Sequence, residues 1–356
     1  MSIKTWSMGV YGAGMIGEIH IRAIKVMKGA ALAGVFDRNQ ERAKQLAEKY
    51  SCRAYESEEE FFGDANLDIV TIGTPTGAHR DPAIQAAENG KHVICEKPME
   101  VDLERVDEMI NACAKNDVML CGVFPRRFHP VMAVVKSAVE SGRFKKLAFA
   151  GASIPWWRPQ EYYDSGSWRG TWALDGGGAL MNQGIHTIDL LQYFAGPISS
   201  VQALAGCLAH ENIEVEDHAV ALVQFESGAQ GVIEGSTCCY PGFPASIKIY
   251  GSGGTAVLED VALSQWHFAD SNEDDEKLLE QYGTAGADGG AGASDPNAIP
   301  DEWHQWNFEE ALAALNEKRE PTVNGKEARK AVEIIKAIYH SAQNGSKVVS
   351  LPYNPA

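Results

Sequence analysis

Three groups of residues have types and spacings that could do chemistry. In His92-Val-Ile-Cys-Glu-Lys-Pro98 an apolar run ends abruptly in two opposite charges and a proline. Pro98 has no N–H and cannot continue a ladder, so Glu96 and Lys97 stand at the end of a short buried strand, Val93 to Cys95. There a lysine amine can take up or release a proton. Downstream, Asn182, His186 and Asp189 follow one another at steps of four and three, which places them on one face of a helix. Lys97 is therefore the candidate catalytic group, and the polar stripe suggests a lined pocket, although His186 taken alone also fits a satisfied core histidine. The third group, Gly12-Ala-Gly14-Met-Ile-Gly17, lies between a strand and a helix, with Asp37 twenty positions after the last glycine.

This third group predicts a dinucleotide. Gly12 permits a tight turn, Gly14 lets backbone amides approach a pyrophosphate, and Gly17 allows helix and strand to pack closely. The helix N-terminus adds a positive dipole end. The alternative is a glycine turn with no ligand, which the acidic residue at the right distance disfavours. Asp37 would accept from the ribose hydroxyls and repel a 2′-phosphate, which favours NAD. Arg38 beside it could stack on adenine or meet that phosphate, so NADP stays open. Thr74, at the end of a strand over 68–72, is placed on the cofactor. His79, a few residues later, is read either as a ligand contact or as a structural histidine. Gly12, Asp37, Thr74 and Lys97 all fall at strand C-ends, where doubly wound sheets bind ligands.

The residues for a second ligand are aromatic and cationic. Arg127 precedes Trp156-Trp-Arg-Pro-Gln-Glu-Tyr-Tyr163 and Trp168-Arg-Gly-Thr-Trp172. Flat aromatic faces beside guanidinium and carboxamide donors suit a polyhydroxylated ring. Lys97, Arg127, Trp157, Arg158, Tyr163, Asn182 and His186 are the expected substrate contacts. An ordinary hydrophobic cluster under a long loop is the competing reading.

These groups need elements to hold them. Strands alternate with helices to about residue 124, which predicts an α/β fold with a parallel, doubly wound sheet. Period-two strands follow from about residue 201, as in a mostly antiparallel open sheet. The expected division is a nucleotide-binding domain over 1–124 and a substrate and oligomerisation domain over 125–356. An uncovered sheet face in the second points to a homodimer or homotetramer. Gly286 to Ala293 reads as a mobile surface loop near the pocket.

Bulk properties exclude other classes. A net charge of −17 over 356 residues argues against nucleic acid and anionic membrane as partners. The seven cysteines show no CxxC spacing, so neither a disulfide framework nor a metal site is expected. No run reaches the roughly 18 apolar residues of a membrane span. The first residues have no signal-peptide pattern, so a cytoplasmic location is expected.

Taken together, Gly12 to Gly17, Thr74-Pro75, Glu96-Lys-Pro98 and Gly176-Gly-Gly178 to His186-Thr-Ile-Asp189 resemble the family of glucose–fructose oxidoreductase, inositol dehydrogenase and MocA. The resemblance spans essentially the whole chain. It implies a Rossmann domain followed by an α/β domain whose open sheet forms oligomers. The implied activity is hydride transfer between nicotinamide and a CH–OH carbon of a sugar, sugar derivative or cyclitol. By the same resemblance Gly12, Gly14, Met15, Ile16, Asp37, Arg38, Thr74 and Pro75 contact NAD, and Trp168-Arg169 approach it. Glu96 and Lys97 lie by the nicotinamide ribose, with His186 as the second catalytic group and the Lys97–Pro98 peptide commonly cis. Two positions depart from the family pattern: Asn182 replaces a common aspartate, and Pro125 a common asparagine. Loss of a carboxylate at 182 would ease deprotonation of Lys97, which favours Lys97 as base and His186 as orienter or partner base. The reverse assignment stays open. Asn182 also shifts the expected substrate from myo-inositol toward substituted or nucleotide-linked sugars. Two competing functions are a glycoside hydrolase that cycles tightly bound NAD and a cofactor-binding sensor without turnover.

Overall fold

The computed structural model describes residues 4–283 and 300–354. The loop expected over Gly286 to Ala293 lies outside the described residues. The chain divides into two compact units, Met1–Pro125 with Pro300–Lys330, and Arg126–Ile299 with Ala331–Ala356.

In the first unit strands and helices alternate: β1 (Trp6–Tyr11), α1 (Met15–Val26), β2 (Ala30–Phe36), α2 (Gln40–Tyr50), β3 (Arg53–Ala54), α3 (Glu58–Gly63), β4 (Ile69–Ile72), α4 (Arg80–Glu88), β5 (His92–Cys95), α5 (Leu103–Lys115) and β6 (Leu120–Gly122). The six strands lie in the order β3-β2-β1-β4-β5-β6, and every pair is parallel. β4 is buried at all four positions, as expected of a strand covered on both faces. This arrangement is a Rossmann sheet, and its order reverses between β1 and β4.

The second unit contributes α6 (Pro130–Glu140), β7 (Leu147–Pro155), α7 (Gln160–Asp164), a π-helical turn over Ala179–Gly184, α8 (Ile185–Ala195), β8 (Ile198–Gly206), β9 (His218–Phe225), β10 (Gln230–Ser236), β11 (Ser246–Gly251), β12 (Gly254–Glu259), β13 (Ala262–Phe268) and α9 (Glu273–Tyr282). After α10 (Asp301–Glu317) and α11 (Gly325–Gln343), β14 (Val349–Ser350) completes an eight-stranded sheet. Its order is β13-β12-β11-β7-β10-β9-β8-β14. Only β7 and β10 pair in parallel; the remaining pairs are antiparallel.

The fold class matches the expectation, but residues 125–356 are not one body. α10 belongs to the first unit, because its apolar face completes that unit's core. Phe308, Ala311 and Leu312 pack into one cluster with Ile21 and Ile24 of α1 and Val10 of β1. Arg22 adds a two-pronged bond to Asp301 at the start of α10, with Nε and Nη2 2.6 and 2.8 Å from the carboxylate oxygens.

Candidate active site

The glycine loop after β1 is shaped by close backbone approach. Gly12 has a φ of +110°, and a Cβ there would lie 3.0 Å from the Gly73 carbonyl. A Cβ on Gly17 would lie 1.8 Å from the Gly12 oxygen. Gly14 differs: nothing stands within 4 Å of its would-be Cβ. No protein atom requires glycine at position 14, so the open space suits a ligand that the backbone must approach. Gly14 also caps α1 without a side-chain hydrogen bond, and the exposed Met15 follows it. This cradle fits a dinucleotide pyrophosphate. At the end of β2, Asp37 accepts from the Ala13 amide at 2.7 Å and from the Asn39 amide at 2.7 Å. Its carboxylate is thereby held at the glycine loop, while Arg38 is largely exposed beside Glu58. Thr74 donates its hydroxyl to the Ala78 carbonyl, which closes the turn through Pro75.

His79 has a structural place. Its Nε2 faces the Thr74 carbonyl at 2.8 Å, and its Nδ1 faces the Pro98 and Met99 carbonyls at 3.0 and 3.3 Å. Both ring nitrogens therefore tie backbone to backbone, across the loops that follow β4 and β5. This geometry accords with the brace, the structural reading of His79.

Lys97 stands half-buried at the end of β5, and the Lys97–Pro98 peptide is cis. Its amide donates to the Glu96 carboxylate at 3.1 Å. Glu96, which the resemblance places by the nicotinamide ribose, turns its side chain into the interior of its own unit. Its carboxylate is buried, with Nε2 of His20 and Nε2 of His304 each 3.1 Å from one oxygen. Burial opposes ionisation of Glu96, but the two histidine bonds outweigh it and hold the group well below the ordinary carboxylate range. Burial in turn pushes His20 down, toward the neutral imidazole that donates one N–H. The three side chains could also offer atoms to a metal ion, but each carboxylate–imidazole contact is already a normal hydrogen bond. The sequence offered no sign of His20 or His304 as partners. They are 76 and 208 residues from Glu96.

The second unit gathers its polar groups around α7 and the start of α8. Tyr162 accepts from Nε2 of Gln183 at 2.9 Å and from Nη1 of Arg169 at 3.1 Å. The Arg169 guanidinium lies 4.4 Å from the ring centres of both Tyr162 and Trp168. Burial raises the Tyr162 phenol, which keeps it protonated. Tyr163, the tyrosine singled out from the sequence, is placed elsewhere: its hydroxyl meets Thr237 at 2.9 Å in the interior. Adjacent residues of one short helix point apart, and the cluster takes Tyr162. Arg158 is buried, stacked over Trp156 at 5.1 Å, with Nη1 donating to the Trp157 carbonyl. Trp157 itself packs edge-on to Tyr240.

The polar stripe on α8 divides. His186 lies in the first turn of α8, and Asn182 belongs to the π-helical turn before it, so the pitch changes between them. Asp189 is committed to Arg127: Nε and Nη2 reach its two oxygens at 2.7 and 2.6 Å, with both side chains 2% exposed. Arg127, expected as a substrate contact, is thus buried and bonded to Asp189. Asn182 donates to Asp175 at 2.7 Å, so a carboxylate stands directly behind the position where one looked to be missing.

Glu216 secures the triple glycine. It accepts from the amides of Gly178 and Leu180 at 2.9 Å each and from the Tyr339 hydroxyl at 2.8 Å. A Cβ on Gly178 would lie 1.7 Å from the Glu216 carbonyl. Burial raises the Glu216 carboxyl to about 7, although its three donors oppose the shift. A carboxyl raised on folding favours the native state while it is protonated, below its unfolded value. That contribution is lost as pH climbs through about 7, a difference of about 3 kcal/mol. Denaturant midpoints should therefore fall between pH 5 and pH 8. Glu216→Gln, which mimics the protonated form, should flatten that slope; an unchanged slope would remove Glu216 as its cause. A second cluster, His210, Asp217 and Cys238, is filled by hydrogen bonds: Asp217 accepts from three backbone amides and from His210.

Comparison with known proteins accords with this geometry. A family model described as an oxidoreductase family with an NAD-binding Rossmann fold matches residues 6–124, and the GFO/IDH/MocA C-terminal domain matches residues 132–257. A myo-inositol 2-dehydrogenase of Thermotoga maritima is 32% identical over 261 residues, 71% of this chain and 75% of that protein. An NAD(+) scyllo-inositol 2-dehydrogenase of Bacillus subtilis is 30% identical over 257 residues, 70% and 72% of the two chains. The crystal structure of the WlbA dehydrogenase from Bordetella pertussis, in complex with NADH and UDP-GlcNAcA, has a TM-score of 0.88 at 32% identity, covering 99% of this chain and 100% of that one. A Rossmann sheet with an open glycine cradle and an acidic residue ending β2 defines an NAD-binding oxidoreductase. The chain belongs to the Gfo/Idh/MocA family, whose members include sugar and cyclitol dehydrogenases.

Proposed function

We propose that this enzyme moves a hydride between NAD and a CH–OH carbon of a sugar derivative, with a nucleotide-linked amino-sugar acid as the first substrate to test. NAD, when bound, accepts the hydride. The hydroxyl proton passes to Lys97 or His186 as the C=O bond forms, so that one C–H and one O–H bond are exchanged for a carbonyl. The observation that carries the reading is Lys97 at the end of β5. Its backbone is fixed by Glu96, on the same sheet edge as the glycine cradle and Asp37. Support for a hydroxyl-rich ligand comes from Gln183. Its buried Oε1 has no hydrogen-bond partner among the described residues, and a ligand O–H or N–H would satisfy it. The extent of the WlbA likeness, over both whole chains, sets the choice of first substrate.

The test is a spectrophotometric screen with NAD and NADP against UDP-GlcNAcA, myo-inositol, scyllo-inositol and free sugar acids. NADH should form fastest with the nucleotide-linked sugar, and NAD should outperform NADP because Asp37 repels a 2′-phosphate. Cleavage of aryl glycosides with no net NADH would sink the dehydrogenase reading in favour of a hydrolase.

The open face of the eight-stranded sheet supports a homo-oligomer. β9 alternates buried and exposed positions. Leu204, Val220, Leu222 and Tyr250 are exposed large apolar side chains of this sheet, an arrangement that favours covering by a second copy. Leu222→Glu should halve or quarter the mass seen by sedimentation; an unchanged mass would place the interface elsewhere.

A further inference from the structure

We infer that Asp175, seven residues before Asn182, is the carboxylate of the substrate pocket and that it positions Asn182 by fixing its amide. The inference deepens the proposed function and rests on its assignment of the hydroxyl proton to Lys97 or His186 and of a hydroxyl-rich ligand to Gln183.

Asp175 is 1% exposed and immediately precedes the triple glycine. One carboxylate oxygen accepts from Asn182 Nδ2 at 2.7 Å and the other from the Gly170 amide at 2.9 Å. A carboxylate can only accept, so the contact decides which end of the Asn182 amide faces Asp175. The nitrogen faces it, and Oδ1 points to the opposite side of the amide. Asn182 therefore turns its carbonyl oxygen, an acceptor, away from Asp175. An aspartate at 182 would set two carboxylates at hydrogen-bond distance, where both cannot be ionised. In this chain Asn182 and Asp175 form a matched set, and neutrality at 182 does not strip the pocket of its anion.

Among the described residues, the ionisable groups near enough for Asp175 to oppose their ionisation include Tyr162, Tyr163 and Tyr339. Arg169 stands behind Tyr162, and Glu216 behind Tyr339. His186 lies four residues beyond Asn182 on the chain.

Three variants test the inference in two independent ways. Without any substrate, Asn182→Asp should lose stability relative to wild type as pH rises from 4 to 8. Asp175→Asn combined with Asn182→Asp, which transposes the charge and keeps one hydrogen bond, should regain the wild-type slope. With UDP-GlcNAcA and NAD, Asn182→Asp should lower kcat/KM at neutral pH by about 100-fold. The transposed pair should recover most of that, with its kcat/KM pH profile moved upward by about one unit, because the anion now sits one turn from His186. A merely structural Asp175 would leave the profile where it was, and that result would overturn the positioning role. An Asn182→Asp variant with a wild-type slope, or a transposed pair no better than it, would overturn the pairing. If the wild type oxidises no substrate, the proposed function fails and the stability arm still decides the pairing.

Discussion

Lys97→Met is expected to lower kcat about a thousandfold, close to 4 kcal/mol of transition-state stabilisation, while NADH binding followed by fluorescence is retained. Methionine keeps the length and apolar stem of lysine and removes only the amine. The large effect follows from how firmly Lys97 is held. Its amide is fixed by Glu96, and Glu96 by His20 and His304 from two helices. The residue after it is anchored through its carbonyl to His79. A group held in this way loses little entropy on reaching its reactive position. Glu96→Gln should act through the same chain. An amide offers one acceptor where the carboxylate offers two, and its N–H₂ opposes a donor, so kcat should fall with little change in the KM for NAD. If Lys97→Met retained wild-type turnover, the proton would have to leave through His186 alone. His186→Ala on the Lys97→Met background would then decide between the two bases.

What was legible in the sequence was what depends on neighbours in the chain. The parallel strands appear as apolar runs because both faces are covered, and the glycine loop because backbone approach forbids a Cβ at Gly12 and Gly17. Lys97 was visible because a proline stops its strand. The supports of these residues were not visible. His20 falls on the buried face of α1 among Ile19, Ile21 and Ile24, where it reads as one more core position, and nothing local announces a carboxylate 76 residues away. Tyr162 and Tyr163 are adjacent and chemically identical, and only the helical phase of α7 separates the one that meets Arg169 from the one that meets Thr237. The π-helical turn had the same effect on α8, since a uniform 3.6 period through Asn182, His186 and Asp189 does not show the change of pitch ahead of His186. Chain order also assigned α10 to the wrong unit, because an apolar helix face carries no record of which core it completes.

Arg127→Met should cost about 3–5 kcal/mol of stability, measured as a lower urea midpoint by tryptophan fluorescence, because it takes the two-pronged guanidinium contact from the buried Asp189 carboxylate. Asp189→Asn should cost less than the arginine variant, since an amide is cheaper to bury than a charge, although it still leaves Arg127 short of one acceptor. The sign of the double variant separates two accounts of Arg127. In a buried pair the attraction only offsets the desolvation of both ions, so an apolar pair of similar volume can be nearly neutral. Arg127→Met with Asp189→Leu should accordingly recover most of what either single change loses. The guanidinium also lies 4.6 Å from the Tyr193 ring centre, a contact that the methionine thioether can partly replace. A substrate-binding arginine would behave in the opposite way. Its removal would raise KM while leaving the urea midpoint in place, and removing Asp189 as well would not rescue it. Recovery in the double variant would make this ion pair the clamp that sets the seat of α8, and through α8 the position of His186.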